Sequence, residues 1–256
     1  MARVAIRTLE QTEAGAAPAG ARGAVAARSY FAGEQDPLHL HLYEVASGAS
    51  LCLEAGSAEL AVFVWKGAAD AGGTRLGKQA SAVIEPGASL ELVGCKDGAS
   101  LLVFNQKEGE GASPGTGRVL LLPSERVPRT FAMGGNQGIG GALHADAHEP
   151  TPNVWLHENA FAMADKETVL HSHSEDEVIF VLAGGIRLGN RLYPEGTALA
   201  IAADTRYGFH SGPEGLGFVN FRVSSPTYTS ADGSMVLDEA QLWLNAVGKP
   251  EYVTLA

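Results

Sequence analysis

Two imidazoles two residues apart, His171 and His173, followed by the carboxylate of Glu177, are the part of this chain best suited to chemistry. In an extended strand successive side chains point to opposite faces, so the two rings share a face about 7 Å apart along the chain. Two nitrogen donors and one hard oxygen suit a divalent transition metal, Fe or Mn first, with Ni, Cu and Zn as the other candidates. The same residues are compatible with a pair of surface histidines and an acidic turn. Against that stands the apolar run from Val178 to Ala183, closed by Gly184 and Gly185 as the start of a hairpin. A strand that buries its length beside three such groups is a poor place for uncommitted charge.

In spacing, His171, His173, Glu177 and Gly184 resemble the first motif of the cupin superfamily, G(x)5HxH(x)3–4E(x)6G, without its leading glycine. The second motif, G(x)5PxG(x)2H(x)3N, begins at Gly196 and then departs: Ala202 and Asp204 stand where proline and glycine are usual. Tyr207 stands in place of the fourth ligand, a histidine, and His210 follows three residues later. By alternation Tyr207 and Phe209 share a face and His210 takes the other, unless Gly208 hosts a bulge that re-aims it. Two completions of the site stay open: His210 as the fourth metal ligand, or Tyr207 as a ligand, acid or base. The resemblance implies an all-β chain of two tandem double-stranded β-helix barrels, the C-terminal one carrying the metal motif.

Other polar groups are weaker candidates. Arg222 alternates with Asn220 and Phe218; if that face lines the barrel, its guanidinium could grip a substrate carboxylate through two parallel hydrogen bonds. His39, His41 and Tyr43 share one face of a strand opposite Leu40 and Leu42, which reads as a solvated or interface face, with a second metal site as the lesser alternative. His144, Asp146 and His148 alternate in the same way and read as a polar strand edge, or as a lid or extra ligand. The glycine cluster at 134–141 lacks the flanking strand and helix of a phosphate-cradling loop and reads as a hinge. Neither a G-x-S-x-G elbow nor a CxxC pair is present, so no nucleophile system competes with the metal.

The elements that must position these groups are legible from punctuation. Thirty-two glycines and 12 prolines separate short apolar runs, the pattern of an all-β protein with few short helices. Strands are expected at 37–45, 49–53, 60–65, 79–84, 89–93 and 100–105, then at 119–122, 141–145, 154–158, 168–173, 177–182, 186–188, 198–202, 207–210 and 218–223, with a short helix at 237–246. This predicts a partly ordered leader at 1–28, a barrel without metal ligands at 29–106, a flexible linker at 107–118 and a metal-binding barrel at 119–256. A shift of 118 residues lays Glu59 to Gly67 on Glu177 to Gly185 and answers Pro86-Gly87 with Pro194-Glu195-Gly196. His171 and His173 then fall on Leu53 and Ala55, so the first half keeps the carboxylate and loses both imidazoles.

Charge and composition narrow the function. A net charge of −11 opposes binding to nucleic acid or anionic lipid. No apolar run approaches the roughly 20 residues of a membrane span, and the first 30 residues lack a secretory core. A cytoplasmic protein is expected, with Cys52 and Cys95 as reduced thiols. The expected partner is a small-molecule substrate, and exposed strand edges favour a homodimer. A metal-dependent enzyme acting on a small oxygen-rich or aromatic acid is expected, with a non-haem dioxygenase favoured. A lyase, isomerase or hydrolase using Tyr207 as acid or base, or a binding protein without turnover, are the alternatives.

Overall fold

Runs of apolar residues broken by Gly and Pro fold here as antiparallel strands almost throughout, with one regular α-helix among the described residues, Glu239–Val247, near the C-terminal end. The computed structural model describes residues 4–15, 20–23, 25–33, 35–106, 117–133, 138–146, 148, 149 and 153–255. These form two compact units. One comprises Met1–Gln11, Pro128–His148 and Val154–Lys249; the other comprises Thr12–Val127, Glu149–Asn153 and Pro250–Ala256.

In the first unit the main sheet runs Val4–Arg7, Ala198–Ile201, Glu177–Leu188, His210–Arg222, Trp155–Phe161, Ile139–Ala145 and Arg129–Thr130. A small second sheet joins His171–His173 to Thr227–Ser230 and Val236–Asp238. Its core gathers Ile179, Val181, Ile186, Leu199 and Ile201 with the aromatic rings of Tyr207, Phe209 and Phe218. In the second unit the order is Ala14–Gly15, Ala26–Phe31, Leu38–Val45, Ser89–Gln106, Leu60–Ala71, Ser81–Ile84, Val119–Leu122 and Val253–Leu255.

The two sheets share an order. Strand Glu177–Leu188 lies between Ala198–Ile201 and His210–Arg222, as Leu60–Ala71 lies between Ser81–Ile84 and Ser89–Gln106. Both central strands are 12 residues long, and their starts differ by 117 residues, one less than the shift found in the sequence. Each bends where a glycine takes a positive φ: +70° at Gly67 and +65° at Gly184. A Cβ at Gly67 would lie 2.1 Å from the Gly98 carbonyl oxygen, and one at Gly184 would lie 2.3 Å from that of Gly215. Only glycine meets both demands.

Several boundaries differ from expectation. The stretch expected to be a leader contributes strands: Val4–Arg7 pairs with Ala198–Ile201, and Ala26–Phe31 pairs with Leu38–Val45. Its apolar residues are sparse but alternate, which suffices at a sheet edge. Val119–Leu122, expected to open the C-terminal barrel, instead pairs with Ser81–Ile84 and with Val253–Leu255 in the second unit. The expected linker lies outside the described residues from 107 to 116, and Arg118 is tied to Glu85 through three hydrogen bonds. The strands expected at 89–93 and 100–105 are one, Ser89–Gln106, because its register shifts between Gly94 and Ala99 instead of ending. Of the glycine cluster, Gly134 to Gln137 lie outside the described residues, while Gly140 and Gly141 are in strand Ile139–Ala145.

Candidate functional site

A cavity of about 320 Å³ opens in the first unit, and His171, His173, Glu177, Tyr207 and Arg222 all line it. Local structure explains how they meet. The three-residue strand His171–His173 pairs with Thr227–Ser230, so His171 lies opposite Ser230 and His173 opposite Tyr228. The backbones of His171 and Tyr207 exchange two hydrogen bonds, of 2.9 and 2.8 Å, which sets the phenol beside the first imidazole with ring centroids 4.6 Å apart. Glu177 opens the central strand of the sheet, and Arg222 closes the strand beside it. Glu239 arrives from elsewhere, as the first residue of the helix that Asp238 caps.

At the floor of the cavity is a fully buried charge network. Arg222 Nη2 donates to Glu177 Oε1 at 2.7 Å, and Nη1 donates to Glu239 Oε2 at 3.4 Å. Asn220 Nδ2 also donates to Glu177 Oε1, at 3.1 Å, while the Tyr207 hydroxyl donates to Glu177 Oε2 at 2.6 Å. Burial pushes the Glu177 carboxyl up, but Arg222, His173 and the Tyr207 and Asn220 hydrogen bonds outweigh it and hold it down at about 2. The same burial and the neighbouring carboxylate push the Tyr207 phenol well above 10, so it keeps its proton. Burial likewise pushes Glu239 up, and Arg222 and His173 bring it below the usual carboxylate range. Two carboxylates face one guanidinium, and the His173 imidazole lies against the second of them.

Both imidazoles are anchored through Nδ1. That of His171 lies 2.6 Å from the Val169 carbonyl. A carbonyl only accepts, so the proton sits on Nδ1 and Nε2 keeps a lone pair. Burial lowers the pKa of His171, favouring that neutral form. The Nδ1 of His173 lies 2.8 Å from Glu239 Oε1, an ion-pair contact out of line for a good hydrogen bond. The ring centroids are 5.0 Å apart with planes at 79°, a separation that two nitrogens about 2.1 Å from a shared ion can span. An oxygen behind each Nδ1 is the usual outer support of a metal-bound histidine. The imidazoles thus fit a divalent ion. The third position does not form as expected: both Glu177 oxygens are engaged, and among the described residues no three His, Cys, Asp or Glu side chains are grouped to hold a metal.

Other expectations fare unevenly. His210 is not among the cavity-lining residues; it pairs with Arg187 and bridges to Glu167, on the far side of the strand from Phe209. The pairing slips by one residue between Tyr207 and His210, since His171 bridges to Tyr207 but Glu167 to His210, and the slip does not bring His210 into the cavity lining. Arg222 lines the cavity, but with two carboxylates on its guanidinium it is not placed to hold a substrate acid. His144 and Asp146, expected at a polar edge, are buried, with His144 Nε2 3.7 Å from Glu158 and Asp146 3.0 Å from His148. Glu239 and Tyr228 were not foreseen. Tyr228 stacks on His171 with ring centroids 4.9 Å apart. Neither carries a local signal, since both belong to segments far along the chain; only the cap at Asp238 marks where Glu239 begins a helix.

No protein-family model matches the sequence, and no curated protein matches it. Solved structures do resemble its fold. The protein Ylba from E. coli aligns at a TM-score of 0.63 and 12% identity, over 86% of this chain and 90% of that one. The oxalate decarboxylase of Lactobacillus farciminis aligns at 0.67 and 10% identity, over 89% and 88%. That of Bacillus subtilis, in an E162A variant, aligns at 0.66 and 12%, over 89% and 79%. The fold is that of the cupins. Among the described residues no helix is long and apolar enough to cross a membrane.

Proposed function

We propose that this chain is a metal-dependent enzyme of the cupin fold, two tandem double-stranded β-helix barrels with the chemistry in the unit that carries His171 and His173. The observation that carries this is the pair of imidazoles, each with an oxygen at Nδ1, facing one cavity beside the buried carboxylates of Glu177 and Glu239. A divalent ion, Fe or Mn before Ni, Cu or Zn, would be held by His171 and His173, and Glu177 or Tyr207 would serve as third donor only once the hydrogen bond between them opens. Such an ion supplies Lewis acidity and an open coordination position. The substrate is a small oxygen-rich or aromatic acid, consistent with a cavity near the lower end of the usual ligand range and with the aromatic wall of Phe161, Phe209, Phe218 and Trp243.

For the reaction class we favour proton-transfer chemistry, as in a lyase, isomerase or hydrolase. The specific support is Tyr207, whose neutral phenol is held 2.6 Å from Glu177 and beside His171, with Arg222 on the same carboxylate to offset the charge left behind when the phenol gives its proton to a substrate oxygen. Dioxygenase chemistry is the second possibility and rests on the ligand types alone. The test is metal analysis of the purified chain and of its His171→Ala and His173→Ala variants, followed by turnover with and without oxygen. About one divalent ion per chain, lost in both variants, is expected; full retention in both rules the metal out. Turnover that stops under strict anaerobiosis replaces the proton-transfer class by the dioxygenase.

A further inference from the structure

The unit formed mainly by Thr12–Val127 contains its own cavity, of about 340 Å³, which the proposed reaction does not use. Strand Leu38–Val45 brings His39, His41 and Tyr43 to it, and Asn105, directly opposite His39 on Ser89–Gln106, lines it too. This is not the solvated strand face that alternation suggests. His41 is 6% exposed, while Leu40 and Leu42 on the other face are at 0% and 1%. His41 and Tyr43 are buried and His39 is half-buried with its Nε2 covered, so these polar groups need partners.

Some have none. His41 Nδ1 meets Ser29 Oγ at 2.9 Å, but the buried Nε2 of His39 has no hydrogen-bond partner among the described residues. An unsatisfied buried nitrogen is costly, and a ligand that reaches it regains that cost. The charge of that ligand follows from the lining. Among the described residues no Lys or Arg lines the cavity, and the one carboxylate that does, Glu54, is exposed and bonded to Arg22 at 3.2 Å. An anion would meet no counter-ion here, and a cation would have to displace Arg22. A metal is disfavoured because the ring centroids of the two imidazoles lie 6.3 Å apart, wider than at the other site, and among the described residues no third ligand joins them.

We propose that this cavity binds a small uncharged polyol or sugar, independently of the metal chemistry proposed above. A hydroxyl both donates and accepts, so it satisfies His39 whichever ring nitrogen carries the proton, and it matches the phenol of Tyr43 and the carboxamide of Asn105 equally well. Leu53, Leu60 and Val103 supply the apolar surface for its carbon face. Burial, with a smaller effect of His39, lowers the pKa of His41 to about 4, which keeps that ring neutral near pH 7.

The test uses the full chain with 15N-labelled histidines, titrated by NMR with D-xylose and separately with D-xylonate, which carries the same carbon chain with a carboxylate. We expect the His39 and His41 ring signals to shift saturably with xylose, and binding to weaken at least about tenfold for xylonate and in an Asn105→Leu variant. The His171 and His173 signals stay in place. Signals of His39 that do not move with xylose up to about 0.1 M, or xylonate binding as tightly as xylose, overturn the proposal. A His39→Leu variant that folds but binds xylose unchanged overturns it as well.

Discussion

At the residue scale the first unit turns on Arg222. It is fully buried and its nearest charges are Glu177 and Glu239, so each carboxylate depends on it and it on them. Removing one member of such a set leaves uncompensated charge in a low dielectric, which typically costs 3–5 kcal/mol. We therefore expect Arg222→Met to lose about that much unfolding free energy in urea titration; a loss under about 1 kcal/mol would mean that water reaches the network. Glu239 has a different task. Its oxygen at His173 Nδ1 orients the ring, so Glu239→Gln should weaken divalent-ion affinity about 10- to 100-fold in a competition titration while leaving the fold intact. In the other unit His41 gives a pH signature. Its folded pKa, about 4, lies below the ordinary value of 6.5, so the unfolded chain takes up a proton first. The stabilisation from keeping it neutral is complete above about pH 6.5 and is lost as pH falls toward 4, by roughly 3 kcal/mol at the acid limit. The stability difference between wild type and His41→Gln should narrow across that window; a difference that is flat from pH 7 to 4 would contradict it.

At the element scale, short pieces far apart in sequence carry disproportionate weight. The helix Glu239–Val247 begins because Asp238 accepts from Ala240 and Gln241 at 3.0 and 3.3 Å. Asp238→Ala should lower stability by about 1 kcal/mol. Because the next residue is Glu239, it should also weaken metal binding, whereas a substitution at exposed Gln241 should not. Strand Val4–Arg7 closes the edge at Ala198–Ile201 by four residue pairs. A chain lacking residues 1–7 should lose hydrogen-exchange protection at Ala200 by about tenfold or more, equivalent to 1.4 kcal/mol of local opening. Unchanged protection would show that the edge holds without it. Sequence patterning located most strands, because alternation and Gly or Pro punctuation are local properties. It failed where a strand bends without stopping: Gly67 and Gly184 look like turns in the sequence, yet each is a bulge inside one long strand.

At the scale of the whole molecule, each unit is completed by a segment from the far end of the chain. Residues Met1–Gln11 belong to the unit otherwise made after Pro128, and Pro250–Ala256 to the unit otherwise made before Val127. A fragment beginning at Pro128 should therefore be less stable than the same unit in the full chain, and a peptide of residues 1–11 should restore part of the loss in thermal unfolding. Equal stability without the peptide would contradict this.

The sequence by itself determined the all-β character, the internal repeat and the positions of the two histidines and the carboxylate, because these depend on residue type, spacing and strand period. Alternation left open whether His210 or Tyr207 completes the site, and the cavity lining takes in Tyr207 without His210. What only the tertiary structure decided was who meets whom. Glu239, 62 residues beyond Glu177, shares Arg222 with it and backs His173, while Glu177 is bound to Arg222, Tyr207 and Asn220 instead of standing free. Those pairings arise from sheet register and from where a helix begins. No local pattern encodes the distance between side chains that the fold alone brings together.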